Sequence, residues 1–328
     1  MKFKRSLLIP FFLIFAIFAN AQEKTTKKKV KKAPKPPKVL VPPSAEELGK
    51  VEDAIMAVKA QTPKQQRKIL VYSQSHGFKH NSRLIGEEML KLIEEKLKIF
   101  TVTINNNPEE WTDEYLKDFD AICILNATGL EHAFRKDENK KAFINFVENG
   151  GGLFGIHAAT DGGKDKWPEY SEMWGGHFDC HPWGKTGTWK IDVCDHSNPI
   201  NKCFQGENFA IKDELYLHKG PYKEGGFNTL TRIDVNEKVN THNPSGSIKT
   251  VPGEKDSNGK RGPRVDLDLS REYPTSWNKK FGEGRIFYTT FGHNESTYWN
   301  PKIVEHYISG LQYTLGDLEA DDTPKPLK

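Results

Sequence analysis

Eleven histidines stand in this chain of 328 residues, and their placement, more than their number, points to chemistry. His76 and His80 lie in Ser75-His76-Gly77-Phe78-Lys79-His80, and His157 ends the run Gly152-Leu153-Phe154-Gly155-Ile156-His157. His177 and His181 lie in Gly176-His177-Phe178-Asp179-Cys180-His181-Pro182, and His293 follows Phe291-Gly292. Imidazole at this density can bind a transition metal, shuttle protons or hydrogen-bond sugar hydroxyls. The pairs His76/His80 and His177/His181 have a spacing that would bind zinc from a helix, but the surrounding Gly and Pro argue for loops. Asp213 and Glu214 are adjacent carboxylates that would point to opposite faces of a strand, so at most one serves a given site. Either could be a metal ligand or general base, with a solvated edge as the plain alternative. Asp161, four residues after His157, could orient it or act as an acid. Trp167, Trp174, Trp183 and Trp189 crowd the same region; flat rings stack on sugar faces, although core packing is their ordinary role. His132 also follows a strand, whereas His196, His218, His242 and His306 read as structural or solvated.

The elements that must position these groups follow from the hydrophobic pattern. Lys68–Ser73 is an apolar run bounded by polar residues, as buried parallel strands are. Ser82–Leu97 carries Leu84, Ile85, Met89, Leu92, Ile93 and Leu97 on one helical face. Phe100–Ile104 predicts a second strand, Trp111–Leu116 a short helix, Asp120–Leu125 a third strand, Asp137–Glu148 a helix and Leu153–Ile156 a fourth strand. Four such repeats with short connections predict an α/β fold: a doubly wound, parallel, helix-covered sheet. Beyond Gly175 the rhythm changes to strands without long helices (Gly187–Val193, Phe227–Val235), and the stretch from Lys238 to Pro263 reads as a large polar surface loop. Arg285–Thr290 and Pro301–Leu315 then give the last strand and helix, so a β-rich insertion precedes the last strand. Ligands of open parallel sheets bind at the carboxyl ends of the strands, which places His76, His80, His157 and His293 on one edge.

The ends and the composition set further bounds. Residues 1–21 read as a cleavable signal peptide: a basic start, an apolar run from Leu7 to Phe18, and Ala19-Asn20-Ala21 before Gln22. The run is short of the roughly 20 residues of a spanning helix, and no membrane span is expected. The Lys/Pro-rich residues 22–45 read as an extended tether, residues 46–318 as the folded domain and 319–328 as a tail. Much of the net charge of +4 sits in the tether, and no basic stripe or recognition motif suggests nucleic acid. Export predicts a periplasmic or secreted location. Of the four cysteines, Cys123 reads as a buried small hydrophobe, while Cys194 could bridge Cys203 or Cys180 in an oxidising compartment.

The strand-turn-helix at Gly152–Ala159 is where an elbow nucleophile would sit, yet His157 occupies the turn, which argues against acyl-enzyme chemistry. No phosphate loop or dinucleotide fingerprint occurs. Four ordered segments, Ser75–His80, Gly150–Ala159, Gly175–Phe178 and Gly284–His293, together resemble the ThuA-like (trehalose utilisation) family, over about Lys68 to Gly316. The resemblance implies a class I glutamine amidotransferase-like, flavodoxin-like fold. It also implies a place in carbohydrate catabolism beside sugar oxidoreductases that make keto-sugars. Relatives with amidotransferase activity use a Cys where His157 stands, so that activity does not carry over.

Together these readings predict an exported enzyme acting on a disaccharide, glycoside or keto-sugar by general acid–base chemistry, with or without a divalent transition metal. His157, Asp161 and Glu214 are the expected catalytic groups. His76, Trp174 and Trp183 are the expected sugar contacts, and His80, His177 and His293 the expected metal ligands. The alternative is a non-catalytic sugar-binding protein. A sugar oxidoreductase is the expected functional partner.

Overall fold

Each apolar run of the amino-terminal half is followed by enough helix to return the chain to the same end of a sheet, and a parallel ladder results. The computed structural model describes residues 39–241, 250–251, 260 and 265–327. The stretch expected to be a signal peptide and most of that expected to be a tether therefore lie outside the described residues. Helix α1 (Ala45–Met56) opens the fold; Ser44 Oγ accepts the Glu47 N–H, and the Glu47 carboxylate accepts the Ser44 N–H. There follow β1 (Lys68–Tyr72), α2 (Ser82–Leu97), β2 (Thr101–Ile104), α3 (Asp113–Leu116), β3 (Ala121–Leu125), α4 (Asp137–Glu148) and β4 (Gly152–Ile156). The insertion comprises α5 (Pro168–Trp174), β5 (His177–Trp183), β6 (Thr188–Val193), β7 (Phe209–Lys212), β8 (Leu215–Lys219), β9 (Asn228–Ile233), α6 (Lys238–Thr241), β10 (Thr250–Val251), β11 (Val265–Asp266) and β12 (Pro274–Phe281). Strand β13 (Gly284–Thr289) and helix α7 (Pro301–Thr314) complete it.

Among the described residues the main sheet has nine strands in the order β2-β1-β3-β4-β13-β12-β9-β6-β7. The first five are parallel, with β13 beside β4, in the flavodoxin-like order. Strands β12, β9, β6 and β7 continue the same sheet antiparallel. The expected parallel sheet forms its first five strands, and the expected β-rich insertion extends it into a mixed sheet. At β12–β13 connection length decides the direction: the two residues between Phe281 and Gly284 permit only antiparallel pairing, whereas a parallel pair needs a crossover. Strands β5 and β8 form a separate two-stranded ladder. The stretch expected as a loop, Lys238 to Pro263, contains α6 and the β10 strand that pairs with β11; residues 242–249 and 252–259 lie outside the described ones.

Both faces of the sheet are covered. Ile69 and Val71 face a core built with Val51, Ile85, Met89, Ile303 and Leu311 from α1, α2 and α7. Leu70 and Tyr72 face the other, with Phe143, Val147, Tyr170 and Trp174 from α4 and α5. This alternation along one strand, both halves apolar, is what a sheet buried on two faces requires. Among the described residues the four cysteines form no disulfide, and Cys123 is fully buried. Residues 319–327, read as a tail, are docked: the Asp321 carbonyl accepts the side-chain amides of Asn198, Asn228 and Asn278, and the Lys325 N–H donates to the Phe227 carbonyl.

His306 on α7 is a buried structural histidine. Its Nδ1 lies 3.2 Å from the Ile200 carbonyl and its Nε2 3.1 Å from the Ser276 hydroxyl. Burial pushes its imidazole down to about 4. Since the folded value lies below the unfolded one, its contribution is complete above about pH 6.5 and is lost as pH falls toward 4. Each tenfold fall in proton affinity on folding corresponds to about 1.4 kcal/mol. Thermal unfolding followed from pH 7 to 4.5 should therefore show a falling midpoint, and a shallower fall in His306→Gln. Equal slopes for the two proteins would assign the acid sensitivity elsewhere.

Candidate functional site

Strand β4 ends at Ile156, and the chain then turns sharply into the one-turn segment His157–Thr160. His157 takes a φ of +51°, a left-handed conformation that costs a non-glycine residue energy and needs support from its surroundings. The support is visible. The His157 carbonyl accepts the Tyr288 hydroxyl at 2.7 Å, and Nδ1 lies 2.7 Å from the Thr290 carbonyl. Because a carbonyl only accepts, Nδ1 carries the proton and Nε2 is left with its lone pair. Burial, then the neighbouring His80 and His293, hold this imidazole well below its usual range, so it is neutral.

Three loops bring partners to that lone pair. His80 comes from the loop after β1, His293 from the loop after β13, and Glu214 from the break between β7 and β8. Glu214 Oε1 lies 4.0 Å from His157 Nε2 and 3.8 Å from His293 Nε2, and Oε2 lies 3.6 Å from His181 Nδ1. Ligand atoms of His80, His157 and Glu214 all lie within 4.8 Å of one another. Burial raises the affinity of Glu214 for a proton, while His181 and Lys185 oppose the rise. His157 and His80 are buried, His293 and Glu214 nearly so, and the half-exposed His181 marks the way out. At that mouth stands Phe78, 54 % exposed, its ring 4.8 Å from that of His80 and 6.1 Å from that of His293.

Asp213 organises the frame. Its fully buried carboxylate accepts the backbone N–H groups of Gly292 and Asn294, each at 2.7 Å, and of His293 at 3.3 Å. Burial pushes the carboxyl up to about 7 while these N–H groups pull it down. Asn126 at the end of β3, also left-handed at φ +50°, reaches the Gly292 carbonyl and the Tyr298 hydroxyl. Gly292 itself sits at φ +135°, where a Cβ would meet Ile156 at 2.6 Å, so only glycine fits between the two strand ends.

The structure brings together His80, His157, His293 and Glu214 of the expected set and separates the rest. His76 turns away to bond the Tyr72 hydroxyl at 3.1 Å, because the loop between it and His80 is not helical. Asp161 pairs with Lys164 at 3.0 Å. His177 lies in β5, which the sequence read as a loop, in register with Lys219, at the opposite end from the Trp183–Leu215 pair beside Glu214. Four residues of extended chain separate ends by about 13 Å, so His177 and His181 cannot share an ion. Trp174 and Trp183 are fully buried and offer no face to a sugar: the Trp174 ring lies on Gly155, and Trp183 Nε1 donates to the Asn240 carbonyl. Sequence reasoning paired His181 with His177 and not with Glu214, and it missed Phe78 and the anchoring role of Asp213. The Asp213-Glu214 adjacency was the available signal for the last. Among the described residues, a second groove at the amino-terminal edge of the sheet is lined by Arg67, Asp120 and Arg285, whose charges are consumed by pairing with one another, Asp317 and Glu319.

The family model described as ThuA, trehalose utilisation, matches residues 68–314. A ThuA-like protein from Bacteroides uniformis ATCC 8492 is 21% identical, with 77% of this chain and 94% of that one covered and a TM-score of 0.54. A ThuA-like protein from Parabacteroides merdae ATCC 43184 is 18% identical, with 79% and 93% covered and a TM-score of 0.52. At these identities the likeness establishes the α/β fold. None of the curated proteins matches the chain.

Asp213→Asn would set an amide NH₂ against backbone donors. Hydrogen exchange of the Gly292 and Asn294 amides should speed at least about tenfold, the value of one lost bond of about 1.4 kcal/mol, with the β4 amides unchanged. Unaltered exchange at those two amides would show that the loop is held by something else.

Proposed function

This chain belongs to the ThuA (trehalose utilisation) family and so has a carbohydrate-related role, and from that premise we propose that it is an enzyme acting on a disaccharide, glycoside or keto-sugar by acid–base chemistry at the Glu214–histidine cluster. The observation that supports the reading is the solvent-shielded His157 Nε2, held as an acceptor by the Nδ1–Thr290 bond and aimed at the Glu214 carboxylate 4.0 Å away. A neutral imidazole and a carboxyl group in one cleft can divide the roles of proton acceptor and donor. On a keto-glycoside, the base removes the proton on the carbon beside the ketone. The C–H electron pair forms the new C=C bond, the glycosidic C–O bond breaks, and the acid protonates the departing oxygen. On an unoxidised glycoside, the acid protonates the bridging oxygen as the glycosidic C–O bond breaks, and water adds to the sugar carbon while the base takes its proton. Phe78, exposed at the mouth, supplies an apolar face for a sugar ring.

The export signal read in residues 1–21 makes this a periplasmic or secreted activity under the same proposal, and a keto-sugar substrate would call for an oxidoreductase upstream. Among the described residues no helix is long and apolar enough to cross a membrane.

Purified protein offered native and keto-disaccharides should turn one class over, and His157→Ala and Glu214→Gln should lower kcat/KM by about 10²- to 10⁴-fold. Saturable sugar binding with no turnover of either class, merely weakened by His157→Ala, would make the protein a binding module instead.

A further inference from the structure

We infer that the cluster is a divalent transition-metal centre whose protein ligands are His80, His157 and Glu214, with His293 as the fourth. The inference deepens the reading above, since it concerns the same site, but it rests on different observations. The first is convergence: ligand atoms from three separate loops lie within 4.8 Å of one another at the carboxyl edge of the parallel strands. The second is an unsatisfied atom. His157 Nε2 is shielded from solvent and has no hydrogen-bond partner among the described residues. Leaving such an acceptor bare in a buried site is unfavourable, and a ligand bond would recover that loss.

The third observation is orientation. Metal-bound imidazoles almost always donate their other N–H to a carbonyl or carboxylate, which fixes the tautomer and aims the free nitrogen; His157 Nδ1 makes that bond to the Thr290 carbonyl. The rings of His80, His157 and His293 stand nearly perpendicular to one another, at 88°, 89° and 87°, with centroids 4.8, 5.0 and 5.4 Å apart. Rings so arranged crowd together without stacking, as imidazoles around a common centre must. Ligand atoms of a tetrahedral ion stand about 3.4 Å apart. The Glu214 separations of 4.0 and 3.8 Å to His157 and His293 therefore need only a slight contraction. They are also too long for direct hydrogen bonds, so these pairs do not already satisfy each other.

The donor set selects the ion. Neutral imidazoles with one carboxylate and no thiolate suit zinc, manganese, iron, cobalt or nickel in the divalent state, not calcium or magnesium. His181, 3.6 Å from the other Glu214 oxygen, would orient the carboxylate from behind. A fifth position, on the Phe78 side, would take a sugar hydroxyl or carbonyl.

The test uses the full chain stripped by chelator and then titrated with Co²⁺, followed by visible absorption, and with Zn²⁺, followed by calorimetry. One ion per chain should bind, and His157→Ala and Glu214→Gln should each lose at least 100-fold in affinity. His177→Ala should bind as the wild type does, and circular dichroism verifies that each variant is folded. Should His157→Ala fail to fold, His80→Asn serves in its place. Absence of stoichiometric binding by the wild type, or equal binding by the Glu214→Gln variant, would overturn the inference. The two readings fail separately: saccharide turnover that persists in chelated protein removes the metal and keeps the enzyme, whereas stoichiometric binding without turnover does the reverse.

Discussion

The hydrogen bond from His157 Nδ1 to the Thr290 carbonyl is the contact on which the sheet edge depends. Thr290 is a junction. Its carbonyl holds the His157 ring, its N–H bonds the Thr275 carbonyl at 2.7 Å, and its hydroxyl accepts the Tyr216 N–H at 2.9 Å. One residue thereby ties the turn after β4, the start of β12 and the strand that follows Glu214. The bond also decides chemistry, because it determines which imidazole nitrogen keeps a lone pair. A site assembled from three loops has few ways to hold tolerances of a fraction of an ångström, and a shared junction next to rigid strand ends is one of them.

Strain is concentrated at the same place. His157 and Asn126 end neighbouring parallel strands, and both are left-handed without being glycine. Such residues cost on the order of 1–3 kcal/mol each and persist only where the surroundings over-determine them. Here the surroundings are polar and buried. Tyr288 donates to the His157 carbonyl, and its hydroxyl also meets Thr160 at 3.0 Å and His218 at 3.2 Å. Burial pushes His218 down to about 3, so this network stays uncharged beneath the turn. A neutral, hydrogen-bonded floor supports the strained His157 without placing a competing charge below it.

The parallel half of the fold was legible because its strands are pure apolar runs and its helices carry one apolar stripe. The run from Ala121 to Leu125 admits no other reading once helices flank it. The insertion was harder to read. His177–Trp183 holds Asp, His and Pro around its apolar positions, yet it is a strand because β8 offers it an irregular antiparallel partner. That partner lies far along the chain, where local pattern carries no information. The same limit explains the site. His80, His157 and His293 could be placed from the strands they follow, whereas Trp174 and Trp183 could not be distinguished from sugar platforms, since burial is a tertiary property.

Glu214 and Asp213 show how the insertion and the parallel core divide the work. The core's strand ends supply imidazoles, and among the described residues none of their loops brings a carboxylate to the cluster; Asp161, the nearest such residue in sequence, is spent on Lys164. The insertion delivers two adjacent carboxylates at the break between β7 and β8, where they diverge. Asp213 turns inward to gather three backbone N–H groups, and Glu214 turns outward to the imidazoles. The first fixes the loop that carries His293, so the second finds its partner already in position. An elbow that presents an imidazole with Nδ1 already committed is poorly suited to deliver an attacking nucleophile, and well suited to accept a proton or a ligand bond. The carboxylate beside it supplies the negative charge that either role requires.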